Sequence, residues 1–268
     1  MQNPWSNYAS IWSGHTEPLE PTADDIHSYK MALDFDRSDQ KKLCAILGVT
    51  RKLHDLCSTI FERVTGNDFN PAMIEKVWPG TARDAHLCNW KHLPYADGEL
   101  DAAVCDGGWH LLDKTTKSDV ARELHRTLRK NGRFAIRLFL PIEPTPTLKD
   151  IRTAFDRGFV HSVNYLKVLL WFATAAEHGN LTAPLKEVWK NFLKWSPDQD
   201  PYQLLLSKGF TQTAIATLEI YKDNEASYMF ETLSDIKNAF LSEGFHLHSE
   251  SRPNYHLGNF FPVLCFEK

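Results

Sequence analysis

The chain has 268 residues, 43% hydrophobic and 24% charged, which suits one large α/β domain or a domain with an insertion and excludes wholesale disorder. A net charge of −4 gives no push toward nucleic acid or an anionic membrane. Five scattered cysteines, without CxxC or Cys/His zinc spacing, argue against a disulfide framework or a structural metal. The opening "MQNPWSNYASIW" has no basic or apolar signal-peptide region. The longest apolar run, "YLKVLLWFATAA", contains a lysine and is too short to span a bilayer. A soluble, cytoplasmic protein is expected.

From Leu43, strand-like and helix-like patterns alternate. "LCAILG" is a continuous apolar run, as for a strand covered on both faces, and "RKLHDLCSTIFE" has apolar residues at helical spacing. "RVTGND" predicts a second strand, "NPAMIEKVW" a helix opened by Pro71, "ARDAH" a third strand and "LDAAVCDGG" a fourth. "SDVARELHRTLRK" predicts an amphipathic helix with Ser118 as N-cap and Asn131-Gly132 as left-handed C-cap; "RFAIRLFLP" is the fifth strand. The pattern then changes. "LKDIRTAFDRGF", "VNYLKVLLWFATAAEHG" and "LKEVWKNFLKW" predict a helical insertion, with "SPDQDPY" as a surface turn. The core resumes with helix "TLSDIKNAFLSEG", closed by Gly244, then strands "FHLHSES" and "NFFPVLCFEK" around a turn at Pro253-Asn254. Seven strands in total, alternating with helices, make a mostly parallel sheet.

Two places in this pattern carry chemistry. The first strand ends at Gly48, where the chain turns into a helix; glycine permits a close backbone approach to a ligand, and a helix start offers free N–H groups. The second strand ends at Asp68, where a carboxylate can accept hydrogen bonds from ribose hydroxyls.

Three segments in order, "VTGNDFNPAMI", "LPYADGELDAAVCDGGWHLL" and "ELHRTLRKNGRFAIRLF", resemble successive motifs of the class I S-adenosylmethionine-dependent methyltransferases, of the methyltransferase type 11 kind. The resemblance covers residues 43–140 and, more loosely, 233–268. It implies a Rossmann-like seven-stranded mostly parallel sheet with a terminal antiparallel hairpin, helices on both faces and a helical cap inserted after the fifth strand. The implied division is 1–140, N-terminal helices and the cofactor-binding half; 141–231, the cap; and 232–268, the last helix and hairpin. The implied cofactor is S-adenosyl-L-methionine, leaving as S-adenosyl-L-homocysteine. Gly48, Val49 and Thr50 would pass under its methionine part, Asp68 would hold the ribose, and Phe69, Asn89 and Trp90 would border the adenine. Asp106 and Gly107 would face the sulfonium and the acceptor. The family's first motif carries an acidic residue and several glycines; here it reads "ILGVTRK", with Gly48 alone, so the loop's route around the cofactor is expected to differ.

The resemblance places acceptor chemistry after the fourth strand, so Asp106 and His110 are the candidate catalytic residues, His110 as a base. Candidate acceptor contacts are Trp109 in the same segment, Trp12 among the N-terminal aromatics (Trp5, Tyr8, Trp12, His15, Tyr29), and Tyr165 and Trp171 in the cap. Aromatic faces can hold a sulfonium or an amine by cation–π contact, or simply pack. At least half of the cap aromatics Phe155, Phe159, Tyr165, Trp171, Phe172, Trp189, Phe192 and Trp195 are expected in a core. The leading reading is a methyltransferase acting on a small organic molecule by in-line displacement. A cofactor-binding protein without useful turnover, regulatory or structural, is the alternative. A nicotinamide-dependent dehydrogenase is disfavoured by the single glycine and the terminal hairpin. A small-molecule partner is expected, neither nucleic acid nor membrane is, and a homodimer is left open.

Overall fold

A computed structural model describes residues 4–35 and 42–268, with side chains from residue 7 onward. In chain order the elements begin with α1 (Pro4–Ser10), α2 (Ala23–Ala32), β1 (Leu43–Leu47), α3 (Arg51–Cys57), β2 (Arg63–Asp68), α4 (Pro71–Lys76) and β3 (Ala85–Leu87). They continue with β4 (Leu100–Asp106), α5 (Lys114–Thr127), β5 (Leu128–Arg137), α6 (Leu148–Asp156), α7 (Val163–His178), β6 (Thr182–Pro184) and α8 (Leu185–Lys194). The last are α9 (Pro201–Ser207), α10 (Gln212–Glu219), β7 (Ser227–Met229), α11 (Leu233–Ser242), β8 (His246–Ser251) and β9 (Val263–Glu267). Two compact units result: Met1–Glu20 with Pro141–Phe230, and Pro21–Leu140 with Glu231–Lys268.

The second unit is built on a seven-stranded sheet of order β3-β2-β1-β4-β5-β9-β8. Neighbours from β3 to β5 pair in parallel, and β9 runs antiparallel between β5 and β8. Every residue of β1 is buried, because the sheet is covered on both faces. On one face Leu43, Ala45 and Leu47, Cys105, Phe134 and Ile136 pack with Val120 and Leu124 of α5 and Ile236 and Phe240 of α11. Burying each large side chain of this kind contributes roughly 1.5–3 kcal/mol. β1 lies between β2 and β4 and its following helix returns toward β2, so the chain diverges at the β1/β4 carboxyl ends, where ligands of such sheets bind.

The first unit is helical, with a two-stranded antiparallel β6–β7 sheet. Its central element is α7: Val163–Ala175 are buried without a break, including Asn164 and Lys167. A helix buried all round must be wrapped by others. Part of the wrapping comes from the first twenty residues, which the sequence reading grouped with the sheet. Asn164 Nδ2 donates to the Gly14 carbonyl at 2.8 Å and to Thr16 Oγ1 at 2.9 Å. A Cβ on Gly14 would lie 2.7 Å from Thr217 Cγ2 of α10, so only glycine allows this approach. Of the eight cap aromatics, only Phe159 is exposed, at 55%.

Some local expectations are corrected. α5 starts one turn early, at Lys114, because Asp113 rather than Ser118 is its cap, accepting the Thr116 N–H at 2.8 Å. It ends at Thr127, and Asn131 takes its left-handed φ of 61° within β5. α9, α10 and the β6–β7 pair fall in a stretch that the sequence reading left without elements, and Pro201 of "SPDQDPY" opens α9. Among the described residues no helix is long and apolar enough to cross a membrane.

Candidate functional site

The carboxyl ends of β1, β2 and β4 bring most of the candidate residues together. Gly48 follows β1 with φ 100°, a conformation that side chains resist, and a Cβ added there would meet nothing within 4 Å. Space is therefore open at this turn. The turn hooks back on β2: Gly48 N–H donates to the Asn67 carbonyl at 2.8 Å, and Asn67 N–H to the Gly48 carbonyl at 3.3 Å. Val49 is buried, so its side chain is not offered to a ligand. Thr50 sits at the N-cap position of α3 without giving it a side-chain bond. Lys52, instead of reaching into the turn, donates to the Pro21 carbonyl at 2.8 Å.

Asp68 ends β2, and its Oδ1 accepts the Asn70 N–H at 2.8 Å. Burial pushes its pKa up to about 6, against backbone N–H bonds from Asn70 and Phe69 that lower it. Among the described residues no cation pairs with this carboxylate. Phe69, the next residue, is 59% exposed beside it. Cys88, after β3, is a thiol pushed up to about 11 by burial and by the Asp68 charge, so it is no nucleophile.

Asn89 is exposed and its Oδ1 accepts the Lys91 N–H at 3.0 Å. Trp90 is half-buried, and its Nε1–H donates to the same Asn67 carbonyl at 2.7 Å. At its other end, the ring reaches the turn after β4, where a Cβ on Gly108 would fall 2.6 Å from Cη2. The indole thus runs from the end of β2 to the turn after β4.

Asp106 closes β4 with its side chain only 3% exposed. Its Oδ1 accepts from Arg137 Nε at 2.6 Å and its Oδ2 from Nη2 at 3.1 Å. The same fully buried guanidinium donates through Nη1 to Asp25 Oδ2 at 2.6 Å, and Tyr255 donates its hydroxyl to Asp25. The two carboxylates hold Arg137 protonated well above the usual arginine range despite burial. Tyr29 completes this frame, its hydroxyl donating to the Cys105 carbonyl at 2.6 Å and accepting the Arg137 N–H at 2.8 Å. Asp106 is thus an anchored anion, not a base awaiting a proton. Gly107 has φ 71°, and Phe139 lies 3.5 Å from where its Cβ would be.

Trp109 and His110 face the core. Trp109 is fully buried, stacked on Phe240 at 5.1 Å, with Nε1 donating to Glu231 at 3.3 Å. His110 is fully buried against Phe139, and its Nε2 accepts the Phe139 N–H at 2.9 Å. The sequence expectation of acceptor contact by Trp109 and base chemistry by His110 gives way to packing, because neither side chain reaches the surface. The other proposed acceptor contacts belong to the helical unit: Trp12 half-buried against His15 at 4.3 Å, Tyr165 and Trp171 buried on α7. Trp5 has its side chain outside the described ones.

Sequence reasoning missed Arg137, Asp25, Tyr255, Asn67 and Gly108, and it named Tyr29 only among the N-terminal aromatics. One signal was available: an arginine inside the apolar run "FAIRLFL" requires a buried counter-charge. Among the described residues no three His, Cys, Asp or Glu side chains gather as a metal site.

Residues 47–136 match a family model described as a methyltransferase domain. No curated protein matches the sequence. Solved structures share the fold at low identity. A Rhodobacter sphaeroides protein provisionally named a Zn-dependent alcohol dehydrogenase superposes with TM-score 0.61 at 11% identity, covering 100% of this chain and 99% of that one. A chain of the Haloferax volcanii complex between the Trm112 methyltransferase activator and a provisionally named methyltransferase gives 0.57 at 12%, covering 100% and 98%. The N-methyltransferase NodS of Bradyrhizobium japonicum, solved with S-adenosyl-L-homocysteine, gives 0.51 at 10%, covering 98% of each chain. At these identities the likeness shows the fold alone.

Proposed function

Because residues 47–136 of this chain are a methyltransferase domain of the class I S-adenosylmethionine-dependent family, we propose that it transfers a methyl group to a small organic acceptor. The observation that carries this reading is Asp68: a buried carboxylate at the end of β2, without a cation, beside exposed Phe69 and on the strand next to the open turn at Gly48. A desolvated carboxylate lacking a counter-ion is matched by a pair of hydroxyl donors, and an exposed ring by a flat base. These residues fit a nucleoside cofactor. Asp68 would hold the ribose of S-adenosylmethionine, Phe69, Asn89 and Trp90 would border its adenine, and the backbone of Gly48, Val49, Thr50 and Gly107 would face the rest. When bound, the cofactor supplies a methyl group on a sulfonium, already activated for in-line displacement.

The protein's part is to bind, orient and exclude water, which can supply several kcal/mol of the barrier reduction. Asp106, neutralised by Arg137, fixes the end of β4 and keeps a formal negative charge in place without being consumed. Of the candidate acceptor contacts, Trp12 is half-buried and retains an accessible edge, whereas Tyr165 and Trp171 are buried on α7 like Trp109 in the sheet unit. The test is calorimetric titration of S-adenosylmethionine and S-adenosylhomocysteine into the wild type and Asp68→Ala. Micromolar binding weakened tenfold or more by the substitution, about 1.4 kcal/mol, supports the reading. Absence of binding to a folded wild type removes it.

A second reading is a cofactor-binding protein of regulatory or structural role with little turnover. It is favoured by the Gly48–Asn67 pairing, which folds the single-glycine turn back onto β2. Binding of both ligands without S-adenosylhomocysteine formation across a broad acceptor panel would support it over transfer.

A further inference from the structure

The sheet unit carries a concavity at the end of β2 opposite to Asp68. Its volume is about 300 Å³, at the small end of ligand sites, and its walls are the end of α3, the link into β2 and the loop from α4 to β3. A strand rises about 3.3 Å per residue, so Arg63 at the start of β2 stands roughly 17 Å from Asp68 at its end.

The wall is firmly built. Trp78 donates its indole N–H to the Thr81 carbonyl at 3.1 Å. A Cβ on Gly80 would fall 2.8 Å from the same ring, so the loop lies against the indole only because residue 80 is glycine. Arg63 Nε donates to Asp84 Oδ1 at 2.8 Å, and Thr81 Oγ1 donates to Asp84 Oδ2 at 2.7 Å. The bonds from Arg63 and Thr81 hold the Asp84 carboxyl below its usual range and engage both of its oxygens.

The polar groups left over are of both signs. With Nε fixed on Asp84, Arg63 keeps Nη1 and Nη2 without a hydrogen-bond partner among the described residues. A guanidinium oriented in this way, its amino fork open, matches a carboxylate. Glu62, next to it, is exposed and has no cation among the described residues. The rest of the lining is largely apolar. Phe61 and Val64 are buried, and the His54 ring packs edge-on against Trp78 at 4.9 Å, its Nδ1 buried without a hydrogen bond. Asp55 Oδ1 stands 3.5 Å from that nitrogen. An anion alone would meet Glu62, and a cation alone would meet Arg63. A ligand with both charges gives each group its counterpart, while an apolar part covers Phe61 and Val64.

We infer that this concavity binds a free α-amino acid with an apolar side chain, its carboxylate on the Arg63 fork, its ammonium on Glu62 and its side chain over Phe61 and Val64. The site needs no part of the methyltransferase reading. The two ends of β2 then serve two different ligands.

The experiment is a nuclear magnetic resonance titration of the 15N-labelled full chain with L-phenylalanine, phenylpropionate, phenylethylamine and inorganic phosphate. It follows the Trp78 indole N–H and the Val64 and Thr81 amides. L-phenylalanine should shift these signals with a Kd of about 1 mM or tighter, and each analogue with a single charge should bind at least about tenfold more weakly. Arg63→Gln and Glu62→Gln, both at exposed positions, should each weaken L-phenylalanine at least about fivefold. No shift at about 20 mM L-phenylalanine overturns the site. Equal binding by phenylpropionate or phenylethylamine overturns the amino-acid assignment, and phosphate shifting the same signals as strongly overturns it in favour of a plain anion patch. If Arg63→Gln does not fold, Glu62→Gln decides: L-phenylalanine bound there as tightly as by the wild type overturns the proposal.

Discussion

Replacing Asp68 with asparagine should stabilise the sheet unit while weakening cofactor binding. Burial raises the folded-state pKa of Asp68 from 3.8 to about 6, a destabilising shift for a carboxylate. Below the unfolded pKa the group is neutral in both states and costs nothing. As pH rises through the window from about 4 to 6, the folded state holds its proton longer than the unfolded chain, so stability falls. Above that window the full shift applies, about two units, or about 3 kcal/mol as an upper value. The asparagine amide keeps an oxygen for the Asn70 N–H without the charge. Urea unfolding of both proteins at pH 7.5 should show Asp68→Asn ahead by about 1–3 kcal/mol, and by about half as much at pH 5. The same variant should bind S-adenosylhomocysteine at least about tenfold more weakly, since a neutral amide accepts hydroxyl hydrogen bonds less strongly than a carboxylate. Equal stability, or an advantage that does not change with pH, would refute the claim that Asp68 is an unpaired, desolvated anion.

Gly108→Ala should lose about 1–3 kcal/mol in thermal unfolding, because its Cβ would fall 2.6 Å from Trp90 Cη2, and adding Trp90→Phe should restore most of it. Arg137→Met leaves the buried carboxylates of Asp25 and Asp106 without a cation and should cost about 3–5 kcal/mol at pH 7 in urea titrations. Tyr29→Phe strands the Cys105 carbonyl and the Arg137 N–H that its hydroxyl joins, and calorimetric unfolding should register a loss of about 1–3 kcal/mol.

The strands of the sheet were legible because they are short runs separated by helices with turn residues at their ends. Leu43–Leu47 and Arg63–Asp68 stand where "LCAILG" and "RVTGND" place them. The start of α5 was not: "KTTK" has no apolar residue, so periodicity fails for its first turn, and only the spacing from Asp113 to Thr116 marks it. α9 and α10 are seven and eight residues long, too short for a periodic signal. At the site, Asp68 and Gly48 could be read locally, since each follows a strand. The frame around Asp106 could not. Asp25 and Tyr255 lie 112 and 118 residues from Arg137, and only the tertiary fold brings them to its guanidinium and to each other. His110 shows the converse: its neighbours in sequence suggested chemistry, and its burial assigns it to packing.

The interleaving of the two units has a consequence for how the protein is made and dissected. Each is assembled from two stretches: residues 1–20 wait for 141–230, and 21–140 wait for 231–268. In folding, residues 4–20 have nothing to dock on until α7 and α10 form, and the sheet stays incomplete until β9, one of its inner strands, is in place. Cutting out 141–230 would strand Tyr8 and Gly14 rather than yield a clean sheet domain. A fragment ending before Val263 would leave an open edge on β5, with a row of unpaired backbone groups prone to aggregate. Limited proteolysis should therefore nick the chain without releasing either half, and variants are best studied in the whole polypeptide.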